Sequence, residues 1–312
     1  MDIRFQSLYD SFKEISNKIN NSSHDELSSV TSINNSSNDQ VSPLDLWCND
    51  VIENALKRIP KMCGFISEEK NEPVFFEDDR DFSNYNLFCF IDPLDGSKNI
   101  EVNGVVGTIY TILGYDKDKD ETGTILEAGY VMYGPKTLLV IGNDSSSDKL
   151  HIFELNNQNI WIPYATIPSF KERIENKQIQ SKTYFLNEAY ALNFESKINN
   201  LIHELKSNNF SQRWSGSMIM DCHHLFLKGG IFAYPGNKKS PTGKLRYLYE
   251  VLPFCYLIDI LGGFSLLGNC NYETELLNKH IKLRSPKEIH QSIEIILVSP
   301  QFKNYLERIL DN

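Results

Sequence analysis

FCFIDPLDGSKNIE, residues 88–101, carries an apolar run of strand length straight into two aspartates, Asp92 and Asp95. Pro93 and Leu94 separate the two acids, and Gly96, Ser97 and Lys98 follow. Carboxylates at the exit of a buried strand are unfavourable unless a cation or hydrogen bonds compensate them. A hard divalent cation does so through oxygen ligands. Pro93 stiffens the backbone so that both acids can converge, and the Asp-Gly turn offers N–H groups suited to a phosphate oxygen. A capped turn, with Asp95 bonding backbone N–H groups alone, is the alternative.

Moving outward, CGFI (63–66) enters Ser67-Glu68-Glu69-Lys70 in the same way, placing paired acids at a second strand exit. Adjacent glutamates are commonly a solvated face. Together with Asp50 on the preceding helix and Glu250 at the head of an apolar helix, however, four segments supply hard oxygen ligands and a candidate general base. The sequence offers no Ser-His-Asp set and no candidate nucleophilic cysteine. Cationic residues gather in YPGNKKSPTGKLRYLYE (234–250), where Lys238, Lys239, Lys244 and Arg246 accompany Tyr234 and Tyr249. Gly, Pro and Asn make this a shaped loop able to converge on one anion, although a solvated basic loop has the same composition. A phosphate ester held between a Mg²⁺ site and this loop is the economical combination: metal-assisted phosphoryl transfer to water.

Short apolar runs continue through VVGTIYTIL, EAGYVMY and TLLVIG, broken by turns such as Gly134-Pro135. They predict a mostly antiparallel or mixed sheet. Phe5, Leu8, Phe12, Ile15 and Ile19 recur at helical spacing over 3–20, and Ser42-Pro43 opens a second helix ended by Pro60. Between them the Asn/Ser-rich stretch 20–40 predicts a mobile loop. Helices are expected near 195–206 and 217–227, from Leu245 to a stop at Gly262-Gly263, and at the C-terminus, with a strand at IFAY (231–234). The whole reads as layered α+β without internal repeats.

The formal net charge of −10 argues against nucleic acid and anionic membranes, which require a cationic footprint. No run of 18 apolar residues is present and the N-terminus is charged, so a cytoplasmic protein is expected. Six cysteines, at 48, 63, 89, 222, 255 and 270, lack metal or redox spacing and are expected to be free, mostly buried thiols. His223 and His224 point about 100° apart on a helix and cannot chelate one ion together.

DPLDGSKN (92–99) resembles DPLDGSSN, the metal motif of the class 1 fructose-1,6-bisphosphatase family, within the lithium-sensitive sugar and inositol phosphatases. LNEAY (186–190), RWSGSM (213–218) and GGIFAYPGNKKSPTGKLRYLYE (229–250) resemble the family more specifically, and the likeness runs from about residue 40 to the C-terminus and, more weakly, over the N-terminal helix. It implies a layered αβαβα fold with two mixed sheets, divided into a metal-site half, 1–175, and a sugar-phosphate half, 176–312. It implies two or three Mg²⁺ ions per site, with Mn²⁺ able to substitute, held by Glu68, Glu69, Asp92, the Leu94 carbonyl, Asp95 and Glu250. Asp50 and Glu68 would orient or deprotonate the attacking water. The N–H groups of Gly96, Ser97 and Lys98, with Asp95 and Arg246 beside them, would hold the departing phosphate. Asn187, Tyr190, Tyr234 and Lys244 would hold the other phosphate, and Gly216, Ser217 and Met218 would line the sugar hydroxyls. Arg213 matches an arginine that reaches a neighbouring active site, implying a homotetramer built as a dimer of dimers.

The implied reaction is hydrolysis of the 1-phosphate of fructose 1,6-bisphosphate, a gluconeogenic step. The alternatives are a sedoheptulose-1,7-bisphosphatase or dual-specificity sugar bisphosphatase and, from another class, a silent metabolite-binding protein; an inositol monophosphatase lacks support because its Trp-Asp-x-Ala motif is absent. Against the family pattern, Lys98 replaces a serine, Trp214 a tyrosine and Glu101 an aspartate. The family's AMP-binding loop corresponds to NNSSHDELSS (20–29) and its Lys-Tyr pair to Asn86-Leu87, so little or no AMP inhibition is expected.

Overall fold

Eight strands form the first sheet: β1 (Met62–Ser67), β2 (Val74–Phe75), β3 (Asn86–Asp95), β4 (Val106–Asp116), β5 (Glu121–Tyr133), β6 (Thr137–Asn143), β7 (Lys149–Leu155) and β8 (Trp161–Pro168). Their order is β2-β1-β3-β4-β5-β6-β7-β8, with β1 and β3 parallel and the other neighbours antiparallel. The second sheet takes β9 (Thr183–Phe185), β10 (Ser211–Arg213), β11 (Ile231–Tyr234), β12 (Phe264–Leu267) and β13 (Ile295–Val298) in the order β10-β9-β11-β13-β12. It too mixes parallel and antiparallel pairs. This is a computed structural model that describes residues 1–27, 42–76, 86–116, 121–143, 146, 148–179, 181–268 and 289–310.

The helices are α1 (Gln6–Asn21), α2 (His24–Leu27), α3 (Pro43–Leu56), α4 (Phe170–Glu175), α5 (Ser196–Ser207), α6 (Met218–Lys228), α7 (Leu252–Ile260) and α8 (Lys303–Leu310). Strand alternation sorts them into layers. In β3, Leu87, Cys89 and Ile91 enter the core under α1 and α3, whereas Phe88 and Phe90 enter the core between the sheets, where α6 and α7 lie. In β13, Ile295 and Leu297 face that same middle core, while Ile296 and Val298 face the third core with α5 and α8. Helix, sheet, helix, sheet, helix is thus the stacking order, the layered α+β arrangement with two mixed sheets that the sequence implied.

α3 begins as expected. Ser42 accepts from Asp45 N at 3.1 Å, and the Asp45 carboxylate accepts from Ser42 N at 2.9 Å, a complete capping box with Pro43 in the first turn. It stops at Leu56, short of Pro60, the residue expected to end it. The helix expected from Leu245 differs more. Arg246 is extended and bridges Ser292, Tyr247–Val251 is a π-turn, and regular α-helix begins only at Leu252. Five described cysteines, 48, 63, 89, 222 and 255, are buried free thiols. Cys270 and most of the stretch expected to be a mobile loop lie outside the described residues, apart from the short α2. No helix among the described residues is long and apolar enough to cross a membrane.

Candidate active site

The site is built where β3 ends. Between Asp92, opposite Ile109, and Asp95, opposite Gly107, the register shifts, and this bulge re-aims the two acids. Pro93 needs no ladder hydrogen bond here, and its carbonyl accepts from the Thr108 hydroxyl at 2.9 Å. Leu94 N donates to Asp92 Oδ1 at 3.0 Å. Gly96 adopts φ +71, a left-handed conformation, and a Cβ placed there would lie 3.0 Å from the Ser217 Cβ. The left-handed turn favours glycine, and the close approach of the loop before α6 leaves little room for a side chain.

That approach delivers α6 to Asp95. Ser217 Oγ and Ile219 N donate to Asp95 Oδ2 at 2.7 and 3.1 Å, placing a carboxylate at the helix N-terminus. Asn99 Nδ2 donates to the carbonyls of Val105 and Ser215, both at 3.2 Å, which fixes the 96–99 turn against the 215–217 loop. Glu250 arrives from the second half on the π-turn, where its Oε2 accepts from Arg246 N at 2.5 Å. The extra residue in such a turn rotates a side chain out of ordinary helical phase, a device often found at functional sites.

Ligand atoms of Asp92, Asp95 and Glu250 all lie within 4.8 Å of one another, and all three residues are buried. Burial raises the pKa of each; for Asp92 and Glu250 the nearby Glu68 raises it further. Three buried acids at this separation repel unless they are protonated or neutralised by a cation, and oxygen ligands of this kind suit a hard divalent ion. The donor set fits a metal. Glu68 acts electrostatically on both Asp92 and Glu250, and Glu69 lies at the same strand exit, close enough for its charge to act on the Cys48 thiol.

Asp50 does not join this group. It projects from the exposed side of α3, its side chain 69% exposed and 4.0 Å from Lys70 Nζ. Helical phase is the reason, since α3 turns Leu44, Asp45, Cys48, Asn49 and Ile52 inward. Asp45 is the acid of α3 that reaches the site: buried, with its pKa raised by desolvation and the Ser97 side chain within hydrogen-bonding range. The pattern Ser-x-x-Asp at 42–45 was visible in the sequence as a cap, but not its inward orientation.

Arg246 lies beside Glu250, with one guanidinium nitrogen donating to the Lys244 carbonyl at 3.0 Å and also to Ser292 Oγ. Lys244 and Lys98 are exposed. The side chains of Ser217 and Met218 are turned inward, the first onto Asp95 and the second into the core, so that lining of a sugar could come only from their backbone and exposed Gly216. Asn187 caps a 3₁₀ turn, Glu188–Asn193, that carries half-buried Tyr190. Asn193 O accepts from Lys238 N at 2.9 Å, drawing that turn against the basic loop. Tyr234 packs on Trp214 with ring centroids 5.9 Å apart, and Arg213 stands exposed at the end of β10.

The sequence profile described as fructose-1-6-bisphosphatase, N-terminal domain, matches residues 2–162, and that described as the C-terminal domain matches 178–308. Fructose-1,6-bisphosphatase 1 of Bos taurus is 34% identical over 310 residues, 95% of this chain and 85% of the bovine protein. The class 1 enzyme of Thermosynechococcus vestitus is 32% identical over 270 residues, 83% of this chain and 74% of its own. The crystal structure of Leishmania major fructose-1,6-bisphosphatase in holo form superposes with a TM-score of 0.84 at 26% identity, covering 99% of this chain and 94% of that one. Acids converging at the end of β3, the layered fold and both matched domains lead to one conclusion: the chain belongs to the fructose-1,6-bisphosphatase family.

Proposed function

We infer that the protein is a fructose-1,6-bisphosphatase, a phosphoric monoester hydrolase that removes the 1-phosphate of fructose 1,6-bisphosphate to give fructose 6-phosphate and phosphate. The observation that carries this is the convergence of buried Asp92, Asp95 and Glu250 beside the 96–99 turn. Dependence on a divalent cation follows from the family, and we take the ion to be Mg²⁺, two or three per site, replaceable by Mn²⁺. Glu68, Glu69, Asp92, the Leu94 carbonyl, Asp95 and Glu250 would hold it. When bound, it would neutralise charge on the phosphoryl oxygens and acidify water.

The chain's own groups do the rest. N–H groups of Gly96, Ser97 and Lys98, at the start of a 3₁₀ turn, bind the departing phosphate, with Arg246 placing positive charge beside it. Asp45 and Glu68 orient the attacking water and accept its proton, Asp45 taking the role that exposed Asp50 cannot serve. Asn187, Tyr190, Tyr234 and Lys244 hold the second phosphate. Gly216 and the backbone of Ser217 and Met218 line the sugar. We place Arg213 at a subunit contact in a homotetramer, a dimer of dimers, and divide the chain into halves 1–175 and 176–312. Free buried thiols support a cytoplasmic location. Asp95→Asn tests the assignment: turnover should fall about 100-fold or more while the circular dichroism spectrum is unchanged. Near-normal turnover by that variant would remove Asp95 from the metal site.

A further inference from the structure

Residues 290–294, His-Gln-Ser-Ile-Glu, touch the loop after β1, the π-turn, Arg246 and the basic loop in succession. Asn71 O lies 3.2 Å from His290 Nε2, and Tyr249 OH lies 3.0 Å from His290 Nδ1. A carbonyl can only accept, so Nε2 carries the proton and neutral Nδ1 accepts from the tyrosine. His290 therefore ties the loop that follows Glu68 and Glu69 to the residue preceding Glu250. Next along, Gln291 O accepts from Tyr247 N at 2.9 Å, Ser292 takes the Arg246 guanidinium, and Ile293 N donates to Leu245 O at 3.0 Å. Finally Glu294 Oε1 accepts from Gly236 N at 2.7 Å.

The last contact bears on the basic loop as a whole. A Cβ at Gly236 would lie 2.1 Å from Pro241 O and 2.2 Å from Glu294 Oε1, so the loop is folded tightly around this carboxylate. Lys238, Lys239 and Lys244 all follow Gly236 in a segment without regular helix or strand, apart from the Asn237–Ser240 bridge. Such a loop needs an anchor if its cations are to converge.

We propose that 290–294 is a positioning strap, in which His290 sets the acids of the β1 exit against Glu250 and Glu294 sets the basic loop that takes the second phosphate. The strap holds both ends of the substrate site from one short segment, so the two ends keep a fixed separation. Neither residue touches the reacting atoms. The proposal rests on the functional reading above for the Glu294 end, while the His290 end concerns metal affinity alone.

The two ends are separable by measurement. Calorimetric titration of the metal-free protein with Mn²⁺ should show affinity about tenfold weaker in His290→Ala, as for other residues that orient ligands without binding metal. The KM for fructose 1,6-bisphosphate at saturating Mg²⁺ should be unchanged in that variant. Glu294→Ala should raise this KM several-fold with Mn²⁺ affinity unchanged, and Glu294→Gln, which keeps an acceptor for Gly236 N, should restore it. If either alanine variant moves both constants, or only lowers the melting temperature, the strap is structural filler and the proposal fails. Mn²⁺ binding is read without turnover. A wild-type protein inactive on the sugar bisphosphate would thus contradict the functional reading and still leave the His290 comparison decisive.

Discussion

Asp45 and Asp50 are five positions apart on one helix and have opposite fates. Asp45 is inside against Ser97, and Asp50 is outside near Lys70. We predict that Asp45→Asn lowers kcat by about 10²-fold or more, the usual range for loss of a general acid or base, whereas Asp50→Asn leaves kcat near wild type. Asparagine retains an acceptor for the Ser42 cap, so helix α3 stays intact; steady-state kinetics of both variants decides between them. Equal losses would return Asp50 to the mechanism. Glu127 is a second residue whose setting decides its behaviour. Its Oε1 accepts from Tyr9 and Tyr110 hydroxyls at 2.7 and 2.9 Å, and burial raises its pKa from 4.5 to about 7 despite those bonds. The folded protein therefore binds this proton more tightly than the unfolded chain. The stabilisation is complete below pH 4.5 and disappears as pH rises through 7, amounting to at most about 3 kcal/mol. Glu127→Gln should flatten the dependence of melting temperature on pH over that interval and gain relative to wild type at pH 8. Parallel curves for the two proteins would mean that Glu127 is ionised throughout.

At the scale of elements, α6 is fixed at both ends by charge. Its N-terminus meets Asp95, and its C-terminus meets Arg173, a residue 4% exposed whose guanidinium donates to the Phe226 and Leu227 carbonyls at 2.5 and 3.1 Å. Arg173 also stacks over Phe170 at 4.8 Å, and burial lowers its pKa to about 10. Because hydrogen bonds from a charged donor are worth roughly 1.5–3 kcal/mol, Arg173→Ala should destabilise the protein by about 2–3 kcal/mol in urea unfolding. Lysine should recover little of it, lacking the planar fork. A loss below 0.5 kcal/mol, about that of an ordinary surface change, would show that the cap is immaterial. The elements also show what patterning could and could not reveal. Strands β1, β3 and β4 were legible because each is an apolar run ending in a turn. Strands β7 and β8 were not, since β8 leaves five consecutive residues exposed, with burial only near its ends, and β7 is only partly buried along most of its length. The π-turn falls inside the helix expected from Leu245 because its apolar residues also satisfy helical spacing. What shifts its frame is a long-range bridge from Arg246 to Ser292, which no local pattern records.

Across the whole molecule, Asp92 and Asp95 were legible as a strand exit and Glu250 as a candidate ligand, while the packing that brings them together was not. Asp92 and Asp95 could be found from residues 88–101 alone, but Glu250 is 155 residues beyond Asp95 and reaches it only through the packing of two sheets on a common core. The Ser217 side chain orients Asp95, a role visible only once α6 is docked. The same global view bears on regulation. Asn86 and Leu87, at the start of β3, are 8% and 4% exposed and bring no cation to an AMP phosphate. Millimolar AMP should therefore leave the initial rate unchanged, and inhibition at micromolar AMP would contradict this.

The decisive measurement is phosphate release from fructose 1,6-bisphosphate by the purified protein, with Mg²⁺ and after chelation. One phosphate per sugar, fructose 6-phosphate as the product and loss of activity on chelation are the predicted result. No release with Mg²⁺ present, or release indifferent to chelation, would contradict a metal-dependent bisphosphatase built on Asp92, Asp95 and Glu250.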